Sequence, residues 1–230
     1  MCNTKSDLGD RPMMALRSHT RLTVHTLLAL LGSALLAAAG SDVRADEPDV
    51  AAQLHAQKVA ITVCGTCHGP TGNSTQPKFP RLAGQNANYL VAQLKAFRAQ
   101  TRGDPDAIGY MWGMASELDD GTIAALANYY SAQKPEPSAT GKSDLVTAGK
   151  DIFETGSATE GVPACSSCHG PDAHGLKDFP RLAGQHAQYV LKQLASFQSN
   201  MRDVAVMHGV AQNLRLPEMQ AVAAYLEAQP

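Results

Sequence analysis

Cys64-Gly65-Thr66-Cys67-His68 and, about a hundred residues on, Cys165-Ser166-Ser167-Cys168-His169 are the stretches that decide how this chain is read. Each sets two thiols and an imidazole within a few residues of one another. The sequence repeats around them. Cys64 to Pro70 matches Cys165 to Pro171 at an offset of 101, and Phe79-Pro80-Arg81-Leu82-Ala83-Gly84-Gln85 recurs unchanged as Phe179 to Gln185 at an offset of 100. Tyr89, Gln93, Leu94 and Phe97 return as Tyr189, Gln193, Leu194 and Phe197. Beyond a length change around Gly103-Asp104-Pro105 the offset falls to 96, pairing Met111 with Met207, Leu118 with Leu214 and Tyr129 with Tyr225. A duplication of roughly ninety residues has to be recognised before any fold is proposed.

The periodic segments are helical. Leu90, Leu94 and Phe97 stand at i, i+4, i+7, as do Val190, Leu194 and Phe197; Ile123, Leu126, Ala127 and Tyr130 stand at i, i+3, i+4, i+7, as do Met219, Val222, Ala223 and Leu226. Asp119 or Asp120 suits the cap of the first terminal helix, and Pro217 the first turn of the second. A further helix is expected before each cysteine motif, over Val50 to Val63 and Asp144 to Glu154. No stretch reads convincingly as a strand, so the fold expected is all-α. The boundaries read as a leader over 1–45, a first domain over 46–134, a linker over 135–143 and a second domain over 144–230. Domains that small have marginal cores unless something staples them.

Cys-x-x-Cys-His is the attachment signature of c-type haem: the thiols add across two vinyl groups and the adjacent histidine reaches the iron. Zinc ribbons bring their cysteine pairs about 15 to 20 residues apart, which these are not. A thioredoxin-like dithiol needs a βαβ context that is missing, and disulfides would leave both histidines unexplained. The expectation is two covalently bound haem c groups, attached through Cys64, Cys67, Cys165 and Cys168, with His68 and His169 on the irons. A methionine on the opposite side raises the potential of such an iron. Met111 and Met207 are the pair in register. Met114 faces Val210 in the repeat and reads as packing material, while His208, opposite Trp112, is the rival ligand in the second half. Pro80 and Pro180 follow the histidines by twelve and eleven residues and are natural carbonyl acceptors for the second ring N–H. Arg81 and Arg181 read equally as propionate partners or solvated surface. His55, His174 and His186 have no counterpart in the other half and read as surface.

The first 45 residues stand apart. Arg11, Arg17 and Arg21 precede an apolar run from Leu27 to Ala39, short for a membrane span, and Val43-Arg44-Ala45 offers a cleavage site. That is an export signal with cleavage expected after Ala45; its retention as an anchor is the alternative, and it would give peripheral association with the membrane. Cys2 leaves with it and lacks the apolar residues of a lipoprotein site. Without those residues, which hold five Lys+Arg and three Asp+Glu, the chain carries 14 against 18, a net of −4. No basic footprint for nucleic acid exists.

On these motifs the chain resembles the dihaem cytochrome c4 family, two class I cytochrome c domains in tandem, over about residues 48 to 230. The resemblance implies a periplasmic electron carrier and not an enzyme. Its redox partner proteins would be a quinol-oxidising complex as donor and a haem-copper terminal oxidase as acceptor. It also implies lobes packed about an approximate two-fold axis with the haem propionates close together. One feature departs from family members with strong charge asymmetry: residues 46–135 carry 7 cations against 8 anions and 136–230 carry 7 against 10. The alternative is a dihaem electron-accepting subunit of a periplasmic dehydrogenase, similar to the cytochrome subunit of sulfide-oxidising flavocytochromes. A dihaem peroxidase needs an openable iron, which methionine at both sites argues against.

Overall fold

The computed structural model describes residues 50–137 and 144–230. The leader, its cleavage site and the linker residues 138–143 lie outside the described residues. Lobe 1 (50–137) begins with α1 (Val50–Val59), which runs through a π-helical turn (Ala60–Cys64) into α2 (Gly65–His68). Next come α3 (Ala87–Arg98), a second π-helical turn (Ala107–Met111), α4 (Trp112–Ala115) and α5 (Asp120–Ser131). Lobe 2 (144–230) holds α6 (Asp144–Thr155), α7 (Ser166–His169), α8 (Ala187–Gln198), α9 (Ala205–Ala211) and α10 (Leu216–Glu227). Among the described residues there is no strand, only one isolated bridge between Ser157 and Val162. No described helix is long and apolar enough to cross a membrane.

The apolar periodicity becomes burial. Ile123, Leu126, Ala127 and Tyr130 face inward from α5, and Met219, Val222, Ala223 and Leu226 do so from α10. Each wholly buried large side chain contributes roughly 1.5–3 kcal/mol. Asp119 caps α5, its carboxylate accepting from Thr122 N at 2.6 Å. Pro217 sits in the first turn of α10, where its missing N–H costs nothing, and Glu218 closes a capping box with Arg215.

In each lobe the terminal helix crosses the first. The closest approach is in lobe 2, where a Cβ on Gly149 of α6 would stand 1.9 Å from the carbonyl oxygen of Ala221 in α10. Only glycine lets these backbones touch. In lobe 1, Ala56 and Ala60 fill the crossing against Leu126, Ala127 and Tyr130. The helix before Cys64 continues as a π-turn where a regular α-helix was expected, an extra-residue bulge of the kind that gathers at functional sites.

Candidate functional site

Each cysteine motif is a single helical turn stopped by a glycine, Gly69 at φ 78° and Gly170 at φ 82°, a left-handed conformation that glycine adopts without strain. The turn buries His68 and His169 and leaves all four cysteines half-buried and unpaired. Burial pushes the Cys64 thiol up, and Cys165 to about 11, so these are protonated thiols at an apolar surface and not poised thiolates.

The two histidines are held alike. Nδ1 of His68 donates to the Pro80 carbonyl at 2.8 Å, and Nδ1 of His169 to the Pro180 carbonyl at 3.1 Å. A carbonyl only accepts, so the proton is on Nδ1 and the Nε2 lone pair is free. Burial also pushes both rings toward their neutral form, against the smaller upward pull of those carbonyls. Phe79 and Phe179 stand edge-on to the imidazoles at centroid distances of 6.1 and 6.0 Å, fixing their planes.

One cavity of about 1040 Å³ runs through both lobes, and Cys64, Cys67, His68, Met111, Cys165, Cys168, His169 and Met207 all line it. Its size is at the upper end of ordinary cofactor pockets, about 300–1,000 Å³. Met111 arrives at the end of its π-turn against Phe97, Ala107 and Ala115, and Met207 arrives on α9 against the lobe 2 core. His208 does not line the cavity, and its Nδ1 donates to the Phe197 carbonyl at 2.8 Å. Trp112, its counterpart, likewise ties itself to backbone, donating Nε1 to the Arg102 carbonyl at 2.8 Å. The residue after each methionine thus has the same task, with unlike side chains. Met114 is not packing material: it lies 59% exposed at the cavity rim.

The lobes grip one another reciprocally. Arg81 N donates to Gln185 Oε1 at 2.9 Å while Gln185 Nε2 donates to Arg81 O at 2.9 Å; Arg181 N and O meet Gln85 in the same way at 2.8 and 2.9 Å. This is an approximate two-fold. At the helix starts beside it, Asn86 donates to the Lys177 carbonyl, and His186 donates Nε2 to the Ser74 carbonyl at 2.9 Å. His186 is therefore buried between the lobes and not a surface residue, whereas His55 and His174 are exposed. A second interlobe cluster joins Arg102 and Arg202 to Tyr89, Gln93, Tyr189 and Gln193. The recurrence of Gln85, Tyr89 and Gln93 at an offset of 100 carried that signal, but without a role attached.

Arg81 and Arg181 are neither free nor solvated. Arg81 donates to the Glu136 carbonyl at 3.0 Å and Arg181 to the Pro230 carbonyl at 2.6 Å, yet the buried Nε of each, and of Arg202, has no partner in the polypeptide. All three residues line the cavity. An apolar chamber with paired thiols, neutral imidazoles with a free Nε2, thioethers and unmatched guanidinium N–H groups fits a porphyrin with acidic substituents. It does not fit zinc, since no group of three or more His, Cys, Asp or Glu side chains converges among the described residues.

The comparisons agree. The cytochrome c family model matches residues 54–133 and again 146–229. Cytochrome c-552 of Acidithiobacillus ferridurans is 42% identical over 92% of this chain and 88% of its own. Cytochrome c4 of Azotobacter vinelandii is 38% identical over 88% and 96%. The solved structure of Acidithiobacillus ferrooxidans cytochrome c4 superposes with a TM-score of 0.69 at 44% identity, covering 72% of this chain and 98% of that one. The thiosulfate dehydrogenase electron acceptor of Thiomonas intermedia is 37% identical over 73% of this chain and 78% of its own. The chain belongs to the dihaem cytochrome c4 family, two tandem cytochrome c domains with two covalently bound haem c groups that carry electrons.

Proposed function

We propose that this protein is exported to the periplasm, loses residues 1–45 and carries electrons in a respiratory chain from a quinol-oxidising complex to a terminal oxidase. The domains are 46–134 and 144–230, joined by 135–143. Cys64 and Cys67 would hold one haem and Cys165 and Cys168 the other, and His68 with Met111, and His169 with Met207, would supply the protein ligands to the irons. The observation that carries this reading is the convergence of these eight residues on one chamber, each histidine aimed by a proline carbonyl. Haem supplies reversible one-electron chemistry. The chain's own contribution is to orient the imidazoles, exclude water with Leu90, Leu94 and Phe97 and their lobe 2 equivalents, and keep both sides of each iron occupied by protein.

Met111→Ala and Met207→Ala test the ligands. Each variant is expected to let carbon monoxide bind the haem of its own lobe only, and to lose that haem's methionine-to-iron band near the red end of the spectrum. If neither change alters ligand affinity, the methionines are not ligands. The likeness to a thiosulfate dehydrogenase electron acceptor supports a second reading, the accepting subunit of a periplasmic dehydrogenase. A protein that purifies in stable association with such an enzyme, and not alone, would favour it.

A further inference from the structure

The two buried arginines at the lobe interface are equivalent in position and unequal in their partners. Arg102 and Arg202 stand at an offset of 100, are 7% and 5% exposed, and lie over Phe97 and Phe197 at 4.7 and 4.6 Å from the ring centroids. Each binds a glutamine and a tyrosine of the opposite lobe: Arg102 donates to Gln193 at 2.9 Å and Tyr189 at 3.2 Å, Arg202 to Gln93 and Tyr89 at 2.8 Å each. The match ends at Nε. That of Arg102 donates to Asp104 Oδ2 at 2.7 Å; that of Arg202 has no partner in the polypeptide. Asp104 falls within the length change between the lobes and has no counterpart; two residues after Arg202 stands Val204, and the neighbouring Asp203 is exposed.

Asp104 is 1% exposed, and its other oxygen accepts from Gln193 at 3.3 Å. Burial works against its charge, but the Arg102 guanidinium outweighs burial and holds the carboxyl below its ordinary range, so it is ionised at neutral pH. Its backbone oxygen accepts from Ile108 N at 3.1 Å, in the turn that delivers Met111. Asp104, Arg102 and Arg202 all line the chamber. Arg81 and Arg181, also on that lining, are a matched pair with one in each lobe, and the remaining charged groups lie nearer solvent: Lys78, Lys177 and Asp178 are exposed, and Asp106 is half-buried and pairs with Lys192. Solvent and salt damp their influence, whereas a buried charge is damped far less.

We propose that Asp104 is the residue that separates the reduction potentials of the two haems, holding the lobe 1 haem below the lobe 2 haem so that the resting electron sits in lobe 2. The inference rests on the reading above of one haem per lobe in a carrier. Each haem brings the same two propionates, so these cancel in the comparison. Among the described residues that line the chamber, Asp104 is left as the buried carboxylate with no counterpart in the other lobe. Oxidation adds one positive charge at an iron, which a nearby carboxylate favours. The direction of internal transfer, lobe 1 to lobe 2, follows from that sign. Asp104 touches neither reacting iron. It is a positioning residue for the electron.

The test is voltammetry of the fully loaded protein, with each wave assigned through the NMR signals of its haem methyls. In the parent, lobe 2 should reduce first. Asp104→Asn removes the charge with little change of shape. It should raise the lobe 1 potential and lower the equilibrium constant for transfer from lobe 1 to lobe 2 about tenfold, which for one electron is about 59 mV. Val204→Asp places a carboxylate at the same spacing from Arg202 in lobe 2 and should lower the lobe 2 potential. Because that site is 38% exposed, the shift should be smaller. It tests the same rule if Asp104→Asn fails to mature. Haems that titrate together in the parent, lobe 1 reducing first, or a gap untouched by both variants would each overturn the inference. Reversible one-electron cycling, read in the same scans, is the separate requirement of the carrier reading.

Discussion

In lobe 2 a single cluster of buried apolar side chains runs from Phe153 and Val162 through Val190 and Leu194 to Leu214, Tyr225 and Leu226. In lobe 1 the buried residues form two clusters, one around Leu90, Leu126 and Tyr130 and one around Phe97, Ala107 and Ala115, bridged by the half-buried Leu94 and Leu118. The same duplicated pattern has thus been filled in two ways. Phe153, wholly buried, packs on Tyr225 at a centroid distance of 5.3 Å, whereas lobe 1 turns the Tyr130 hydroxyl inward to the Ala60 carbonyl at 3.1 Å. Lobe 2 has a core the polypeptide nearly completes. In lobe 1 the haem has more to join together.

Phe153→Ala should erase that difference and have the largest effect, about 4 kcal/mol lost from lobe 2. Denaturant unfolding can follow it in two places, because Trp112 is the chain's one tryptophan and reports on lobe 1. The circular dichroism midpoint should fall while the Trp112 signal moves less; equal movement of both would mean that the lobes unfold as one. Gly149→Ala attacks the same lobe from the helix crossing. With a backbone oxygen 1.9 Å from the new Cβ, α6 and α10 must part, at a cost of about 3 kcal/mol.

The interface sharpens the comparison, because there the lobes are equal. Gln85→Ala and Gln185→Ala each strand one backbone N–H and one carbonyl of the opposite lobe, so each should cost about 2 kcal/mol. Costs differing by more than about 1 kcal/mol, measured by the same unfolding, would break the two-fold.

The smallest effect is expected from acid. Asp104 has its carboxyl held below the unfolded value, so its contribution is complete above about pH 4 and is lost as pH falls through the folded value. Asp104→Asn should therefore flatten the acid limb of the stability profile, and a limb of unchanged slope would count against the Arg102 pairing.

What was legible in the sequence was whatever is local or repeated in register. The cysteine motifs, the prolines behind the histidines and the methionines each recur within their own lobe, and the structure brings them to one chamber. What was not legible spans the lobes. Gln85 and Arg181 are 96 residues apart, and a glutamine beside a glycine has the same character whether it faces water or a second domain. His186 read as surface because no histidine answers it in lobe 1. Its true counterpart is Asn86, a different side chain that also donates to a carbonyl across the interface. Met114 misled in the opposite sense, since an apolar residue on a rim looks in sequence like one in a core.

The glutamine contacts also set a timetable. Gln185 binds the N–H and carbonyl of Arg81, the residue directly after the proline whose oxygen aims His68. The peptide that steers the first imidazole is therefore buttressed by a side chain made about a hundred residues later. At a synthesis rate of about 5–20 residues per second, that is a delay of about 5–20 s. During it the first half of the chain has its histidine and its proline but not the amide that steadies them. The second half never waits, because Gln85 already exists when Arg181 is made. Two halves equal in the finished molecule are unequal in its birth, and the histidine of lobe 1 is the one that waits for its support.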